Sequence, residues 1–598
     1  MNPVGGRGSP DSTDWALCLL AAGLGLSGLL WSGAWLDAQL QGEGKPQGGL
    51  AAAVHSLGHP SDPWMTWGSP HRAGGALAYW LCELVVCLVA AGAGLLVLRV
   101  TGDVAGGKRV DFRSLPGLAS GAEVRTAAGE RALRRRASVV RPGLPKVISP
   151  QQIGYALGRL RGRQLWCSVE DSALLVGPPR MGKGLHVVVP WVLDAPGAVV
   201  CTSTRPDSLA VTLHARAAKG PVAIFDPQRL AGLPHGLRWS PVRGCQDPHV
   251  ALVRARGLAA GAGYGKTVSD TEFWAGQTET ALRCLMHAAA LDGRRARDLY
   301  RWSLNPALAE DAVTILSRNH GAASGWSDAL DAVVHSDPRT RDSVWLGVRQ
   351  SLSALANPDV LEALEPTDDS SFEPEPFLRE QGTLFLLASA ASSASCAPLV
   401  AAFIEDITET ARTLAARSPG ARLDPPLLLA LDEIANLTPL PSLPSLMAEG
   451  GGSGITTLAV LQSLAQARNR WGEHAADTIW DAATVKIILG GLAKMNDLED
   501  IARLLGDIDE PTRTSSRGAT GERSSSVSMR QVPVLPAAAL RTLPFGTGVL
   551  LLRQARPMIV DLRPWPKRKD AASLIRARRE VEAATSGRAE LRVPGLMA

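Results

Sequence analysis

The sequence predicts an α/β protein with an all-helical insertion, preceded by a pair of membrane-spanning helices. Three observations lead to this prediction. Short apolar runs alternate with helical segments, a glycine-rich loop follows one such run, and two long apolar stretches lie in the first 100 residues. With 598 residues, 45% of them apolar and 20% charged, the chain is too long for one hydrophobic core and too apolar for a disordered protein. Its eight scattered cysteines form no Cys-x-x-Cys pair, which excludes a zinc ribbon and a disulfide scaffold.

The first 100 residues predict a transmembrane hairpin. Residues 15–36 carry no charge, and 22 helical residues extend about 33 Å, enough for a hydrocarbon core of roughly 30 Å. A second apolar stretch at 73–98 is interrupted only by Glu83, which should face a partner helix or the interface. A signal peptide and a buried soluble helix are the alternatives for the two stretches. The first apolar run is too long for a signal peptide, and acidic residues precede it.

A basic juxtamembrane linker is predicted at 101–150. Residues 99–163 carry 14 Lys/Arg against 4 Asp/Glu, so the positive-inside rule places this side of the hairpin in the cytoplasm. The bulk of the chain is then expected on the cytoplasmic side of the membrane, in a multi-pass protein. An arginine cluster in this linker comprises Arg131, Arg134, Arg135 and Arg136. It has two interpretations, a site for anionic lipid head groups or only a topology signal.

A phosphate-binding loop follows the short apolar strand at 173–176. Its pattern is G-x4-G-K, in which backbone N–H groups surround phosphates at a helix start and Lys183 reaches the β- and γ-phosphates. Gly184 stands where most such loops place a Ser or Thr that holds Mg²⁺. The predicted nucleotide-binding residues are Gly177, Pro178, Pro179, Arg180, Met181, Gly182, Lys183 and Gly184.

An acidic strand end appears 250 residues later. The continuous apolar run at 426–431 indicates a strand buried on both faces, and it ends in Asp432 and Glu433. Asp432 is the predicted metal ligand, and Glu433 would polarise the attacking water. Gln462 ends the next predicted strand, 455–460, where it could sense the γ-phosphate. The alternatives are two solvated carboxylates and an ordinary surface glutamine.

The remaining runs predict a doubly wound α/β core with a helical insertion. Further strands are expected at 198–201, 222–225, 383–388 and 487–489, and a helix at 397–416. Apolar residues at intervals of three and four predict helices at 271–291 and 341–364. The predicted division is a nucleotide-binding domain in two parts, 151–242 and 367–565, an all-helical insertion at 243–366, and a basic tail at 566–598.

Three segments have open interpretations. The glycine-rich run 448–454 is either a pore-lining loop or an entry loop to the next strand. Residues 512–530 combine Ser, Thr and Gly with four arginines, which suits either phosphate contacts or a solvated loop. The basic tail is expected to be polar and partly helical or disordered, with a docking role as the alternative.

Taken in order, these motifs resemble the TraG/TraD-type coupling proteins of conjugative type IV secretion. The resemblance rests on the hairpin, GPPRMGKG at 177–184, the helical insertion beginning near TEFW, LLLALDEIANL at 427–437 and LQSLAQARNRWG at 461–472. It extends from about residue 10 to about 565. The GKG variant of the loop, unusual in other nucleotidases, is common in this family.

The resemblance implies a hexameric ATPase of the RecA/FtsK/HerA type that uses ATP and Mg²⁺. It implies transfer of relaxase-bound single-stranded DNA into a secretion channel, with the insertion recognising the relaxosome. Lys183, Glu433 and Gln462 would be catalytic, and either Arg468 or Arg470 would reach a neighbouring subunit's site. The alternatives are an FtsK-like DNA translocase and a cargo receptor with a weak nucleotide site. Nothing in the sequence separates DNA cargo from protein cargo.

Overall fold

The chain divides into two compact units, residues 1–111 and 112–598. The computed structural model describes residues 12–42, 44–68, 75–105, 115–144, 149–233, 236–262, 271–366, 371–388, 396–517, 523–589, 591 and 593–597. Part of the arginine-rich segment, 518–522, lies outside the described residues.

The first unit contains two long helices that pack against each other. Its helices are α1 Ser12–Leu40, α2 Leu50–Ser56 and α3 Gly75–Ala105. The Glu83 side chain of α3 is buried over Gly33 of α1, so it faces the partner helix as expected. Among the described residues, one stretch, Gly75–Leu95, is long and apolar enough to cross a membrane. The span predicted at 15–36, within α1, therefore stays a prediction.

The second unit is built on a mixed sheet of eleven strands, in the order β2-β1-β13-β12-β9-β3-β8-β7-β4-β6-β5. The strands of this sheet are β1 Gly154–Leu160, β2 Arg163–Ser168, β3 Ala173–Val176, β4 Val199–Ser203, β5 Val222–Phe225, β6 Thr383–Leu387, β7 Leu427–Leu431, β8 Ile455–Leu461, β9 Val485–Leu489, β12 Thr547–Leu552 and β13 Met558–Asp561. A separate two-stranded ribbon consists of β10 Asp507–Arg517 and β11 Arg523–Pro533. The seven strands from β9 to β5 are parallel, and they are the seven predicted from continuous apolar runs. The remaining four strands, β2, β1, β13 and β12, pair antiparallel with one another and, through β12, with β9. They were not predicted.

Helices cover both faces of this sheet. Alternate residues of β3 enter different hydrophobic clusters, because successive side chains of a strand point to opposite faces. The helices are α4 Gly121–Ala128, α5 Glu130–Arg135, α6 Ala137–Val140, α7 Val189–Asp194, α8 Asp207–Ala217, α9 Pro248–Ala262, α10 Thr271–Leu291, α11 Ala296–Leu304, α12 Glu310–Arg318, α13 Trp326–Val334, α14 Pro338–Leu352, α15 Pro358–Ala363, α16 Pro374–Arg379, α17 Ala397–Ala416, α18 Ile434–Leu437, α19 Leu443–Glu449, α20 Leu464–Trp471, α21 Glu473–Ala482, α22 Met495–Leu505, α23 Ala537–Arg541 and α24 Ala571–Thr585.

The described residues between 243 and 366 contain helices and no strand. The helix predicted at 271–291 is α10, with the same bounds. The helical pattern predicted at 341–364 is divided between two α-helices, since α14 ends at Leu352 and α15 begins at Pro358. Asn357 causes this break: its side chain caps α15 and Pro358 occupies the first helical position, where no N–H is needed.

Three segments differ from simple loops or linkers. Within 101–150, helices α4 to α6 place Val124, Ala128 and Val140 in the core of the second unit. Within 448–454, residues Gly450–Ser453 form a 3₁₀ turn, and Gly451 packs against the backbone of Glu170 with no room for a side chain. This contact favours the strand-entry interpretation of the glycine run. The described residues of the arginine-rich segment, 512–517 and 523–530, belong to the two strands of the β10–β11 ribbon.

Candidate active site

The predicted site residues meet at the carboxyl edge of the parallel strands. Strand β8 lies between β3 and β7, so the loop after β3, the carboxylates after β7 and Gln462 after β8 are neighbours. The backbone N–H of Gly177 donates to the carbonyl of Leu461, 3.1 Å away, and extends the pairing of β3 with β8 into the loop. Ligands of open parallel sheets bind at this edge.

The glycine-rich loop has the backbone that its sequence requires. Gly182 has φ = +81°, and a Cβ there would lie 2.5 Å from Nδ1 of His186. Gly177 is equally confined, because a Cβ would approach Leu489 to 2.9 Å. Nothing lies within 4 Å of a Cβ placed on Gly184, so this glycine leaves open space where other loops carry a hydroxyl. The other predicted loop residues, Pro178, Pro179, Arg180 and Met181, connect these glycines.

Lys183 is buried and points to both halves of the site. Its Nζ donates to the carbonyl of Gly177 at 2.8 Å and lies 3.6 Å from Oε1 of Glu433. The ion pair joins residues 250 positions apart in the sequence. In this position the ammonium can exchange the carbonyl and carboxylate for phosphate oxygens without leaving the site.

Asp432 is half-buried, and its Oδ1 is enclosed without a hydrogen-bond partner in the described part of the chain. Burial, and then the negative charge of Glu433, raise the pKa of Asp432 to about 6, although Lys183 acts in the opposite direction. The hydroxyl of Thr202 on β4 donates to the Asp432 carbonyl at 2.8 Å and fixes its backbone. An unsatisfied enclosed carboxylate beside a phosphate loop is a donor set that suits Mg²⁺, which takes one or two carboxylates together with substrate phosphates.

Glu433 is the centre of a polar network. It has φ = +54°, a left-handed conformation that costs a non-glycine residue about 1–3 kcal/mol and is concentrated at functional sites. Its Oε2 accepts hydrogen bonds from Nε2 of Gln462, at 2.7 Å, and from Nδ2 of Asn436. Gln466 donates in turn to Oδ1 of Asn436 at 2.6 Å, and its Oε1 accepts from the backbone of Gln462. The network therefore holds the carboxylate and the glutamine in one orientation.

Local sequence explains how these side chains reach each other. Ser463 caps α20, its hydroxyl accepting from the N–H of Gln466 at 3.2 Å, so the helix begins directly after Gln462. Asn436 follows Glu433 by three residues on α18, which puts both on one side of the turn. The sequence analysis missed Asn436 and Gln466, although this spacing is visible in the sequence.

A cavity of about 700 Å³ connects the glycine-rich loop with the ends of β7 and β8. One side carries Lys183, Asp432, Glu433 and Gln462. The cavity continues past Val189 and α8, and it is also lined by two residues from near the chain end that the sequence did not indicate, Trp565 and Arg578. Its volume lies within the range of nucleotide-sized ligand sites.

The two arginines considered for contact with a neighbouring subunit differ in their surroundings. Arg468 donates to Oδ1 of Asp497 at 3.0 Å, and the Asp497 side chain is only 2% exposed. Arg470 is exposed and makes no ion pair within the described residues.

One family model matches the chain, described as the TraM recognition site of TraD and TraG, over residues 426–545. This stretch contains Asp432, Glu433, Gln462 and the β10–β11 ribbon. No curated protein sequence matches the chain. The predicted resemblance to TraG/TraD-type coupling proteins is thus supported by a sequence model that is independent of the glycine-rich loop.

Solved structures agree with this fold. The bacterial conjugative coupling protein TrwBdeltaN70 in an unbound monoclinic form has a TM-score of 0.51 and 18% identity, with 72% of this chain and 91% of that chain covered. The plasmid coupling protein TrwB with ADP and Mg²⁺ has a TM-score of 0.50 and 18% identity, covering 75% and 93%. TrwB with a non-hydrolysable ATP analogue gives a TM-score of 0.50 at 18% identity, covering 75% and 92%.

Proposed function

We propose, from the confirmed resemblance to the TraG/TraD-type coupling proteins, that this chain is a membrane-anchored ATPase. It couples relaxase-bound single-stranded DNA to a type IV secretion channel and drives transfer by ATP hydrolysis. The observation that carries the proposal is the convergence of Lys183, Asp432, Glu433 and Gln462 at one cavity, on three adjacent strands. The TrwB structures that share this fold were determined with ADP and Mg²⁺ and with an ATP analogue.

Each residue has a distinct role in the proposed reaction. The loop 177–184 and Lys183 bind the β- and γ-phosphates, and Asp432 holds Mg²⁺, which supplies charge stabilisation to the phosphates. Glu433 accepts a hydrogen bond from the attacking water and orients it. The Gln462 amide, which donates a hydrogen bond to Glu433 at 2.7 Å, can exchange this acceptor for the γ-phosphate and return to it when the phosphate leaves.

A neighbouring subunit completes the site in the proposed homohexamer. Arg470 is the better candidate for the residue supplied in trans, because Arg468 is already paired with buried Asp497 of its own chain. An arginine that must reach another subunit needs an exposed guanidinium, and Arg470 has one.

Partner contacts are proposed for the exposed part of the stretch that matches the TraM recognition model. The β10–β11 ribbon is one exposed element there, with Val527 59% and Met529 69% exposed. Relaxase and other secretion-channel proteins are the proposed partners, and the role of the helical insertion in relaxosome recognition stays a prediction. The protein is placed in a bacterial inner membrane, with the bulk of the chain in the cytoplasm.

DNA transfer between cells tests this function directly. A donor lacking the chain is complemented with the wild type, with Lys183→Ala, or with Lys494→Ala as a matched control at an exposed lysine. We expect transfer from the wild type and the control and none from Lys183→Ala. Transfer with Lys183→Ala at the wild-type level would favour the cargo receptor with a weak nucleotide site.

Protein export from the same strains separates the remaining alternatives. Loss of export with DNA transfer intact would assign the chain to protein cargo alone. A chromosome-partitioning defect with normal conjugation would instead favour the FtsK-like translocase.

A further inference from the structure

The C-terminal segment, residues 565–597, is folded onto the nucleotide-binding core. Trp565 is only 5% exposed and shares a hydrophobic cluster with Val189, Leu193, Val211 and Leu574. Val189 and Leu193 belong to α7, directly after the glycine-rich loop, and Val211 belongs to α8. The basic tail expected from the sequence thus packs against the helix that begins at the phosphate loop.

Polar contacts fix this segment at two further points. Arg568 pairs with Asp194, at the end of α7, and with Asp570, each at 2.9 Å. Near the chain end, the N–H of Val222 on edge strand β5 donates to the carbonyl of Gly595 at 2.8 Å. Val222 in turn accepts from the N–H of Met597 at 2.7 Å. The segment is therefore held at both of its ends.

Helix α24, between these anchors, presents one exposed arginine at the cavity. Its buried residues are Ala571, Leu574, Val581 and Ala584. Arg578, 47% exposed, lies between Leu574 and Val581 on the edge of the same stripe, since residues spaced by three and four share a face. Arg576 and Arg579 lie off this stripe. Accordingly, Arg578 lines the nucleotide cavity together with Trp565, and the other two arginines do not.

The cavity has two chemically different ends. Lys183, Asp432 and Glu433 define the end for the β- and γ-phosphates. Val189, Val211, Trp565 and Arg578 line its continuation along α7 and α8. For a nucleotide whose terminal phosphates occupy the first end, this continuation offers an apolar wall and one cation to the α-phosphate, sugar and base.

We propose that the C-terminal segment forms a wall of the nucleotide site and that Arg578 binds the nucleotide beyond its β-phosphate. The Nε atom of Arg578 donates to Glu582 at 2.7 Å, which orients the guanidinium and leaves its terminal nitrogens as donors to an anionic or hydroxyl oxygen. This inference rests on the proposed nucleotide-binding function. It adds to the nucleotide site a residue that belongs to none of the nucleotide-binding motifs.

Ligand binding by the full-length chain in detergent tests the proposal. The probes are Mg·ADP, which reaches both ends of the cavity, and tripolyphosphate, which reaches only the phosphate end. We expect Arg578→Ala to weaken Mg·ADP binding about ten-fold, as expected for one charge-assisted hydrogen bond, and to leave tripolyphosphate binding unchanged. The matched controls Arg576→Ala and Arg579→Ala should bind both probes like the wild type.

Other outcomes overturn the inference in distinguishable ways. Unchanged ADP binding by Arg578→Ala, with the wild type binding normally, refutes the role of Arg578 alone. If the substitution weakens the binding of both probes equally, Arg578 either lies at the phosphate end or acts only through its net positive charge. A wild-type chain that binds neither probe overturns the proposed function itself.

Discussion

The side-chain amide of Gln462 donates a hydrogen bond to the Glu433 carboxylate across 2.7 Å, joining the ends of two adjacent strands. The donor nitrogen is therefore occupied by the residue that would orient the attacking water. A γ-phosphate entering the site offers the amide a second acceptor. In the proposed mechanism, this exchange of acceptors links the state of the nucleotide to the position of strand β8.

Gln462→Ala is expected to reduce the maximal rate of ATP hydrolysis at least ten-fold without weakening ATP binding, because the amide orients Glu433 and does not reach the loop that holds the phosphates. Phosphate release at saturating ATP, together with titration of a non-hydrolysable analogue, measures both effects. Gln350→Ala, at an exposed position of α14, is the matched control. A loss confined to affinity would make Gln462 a binding residue.

Glu433→Gln is expected to bind ATP normally and to hydrolyse it about 10²- to 10⁴-fold more slowly, because the amide keeps the shape and removes the charge that polarises water. Removing the charge also removes the repulsion that raises the pKa of Asp432. Mg²⁺-dependent nucleotide binding should therefore not decrease. A drop in affinity as large as that of Lys183→Ala would contradict this assignment.

Arg468→Ala and Arg470→Ala should fail in different ways. The first leaves Asp497 buried and unpaired, at a cost of about 1–3 kcal/mol, and should lower the melting temperature. The second should leave the melting temperature unchanged and abolish hydrolysis. Mixing Arg470→Ala with Lys183→Ala subunits should restore part of the activity, because some interfaces then combine an intact loop with an intact arginine. Absence of any recovery in mixed oligomers would argue against a shared site.

The pKa of Asp432, raised to about 6 mainly by burial, gives a pH dependence with a defined sign. The ordinary pKa of an aspartate is about 4. Between pH 4 and pH 6 the native state therefore binds more protons than the unfolded state, and the free energy of unfolding falls as the pH rises through this window. Asp432→Asn mimics the protonated form. It should stabilise the nucleotide-free chain at pH 7.5, by up to about 3 kcal/mol for a shift of two pKa units, and the gain should disappear near pH 4. Melting temperatures across this range test the prediction, and a constant difference would refute it.

The β10–β11 ribbon gives a prediction about DNA binding. Replacing Arg513, Arg517, Arg523 and Arg530 by Ala should flatten the salt dependence of single-stranded DNA binding by up to about one unit per lost phosphate contact. The full-length chain in detergent and a series of salt concentrations provide the measurement. An unchanged slope and affinity would place DNA elsewhere and leave the ribbon to protein partners.

The strands that could be predicted are those buried on both faces. Their continuous apolar runs, such as 427–431, can be recognised in the sequence without knowing which strands pair with them. Strand β1, with the sequence GYALGRL, contains two glycines and an arginine, and its partner β13 is about 400 residues away. Strand β12, with the sequence TGVLLL, did carry an apolar signal and could have been found.

The same distinction applies to the site. Lys183, Asp432, Glu433 and Gln462 follow from local patterns, because each lies directly at the end of a recognisable strand. Asn436 and Gln466 were detectable from their spacing. Trp565 and Arg578 had no such signal, since only the tertiary packing of the chain end on α7 and α8 brings them to the cavity.

The pairing of β1 with β13 also fixes the order in which the protein can mature. Strands β1 and β2 join the sheet only through β13, which leaves the ribosome about 400 residues later, or roughly 20–80 seconds at ordinary rates of synthesis. The apolar helices at the start of the chain emerge well before that moment. For the proposed membrane-anchored ATPase, insertion of these helices can therefore precede closure of the sheet. The hairpin of β1 and β2 lacks its neighbour in the sheet throughout this interval, and an unpaired strand edge can pair with other chains.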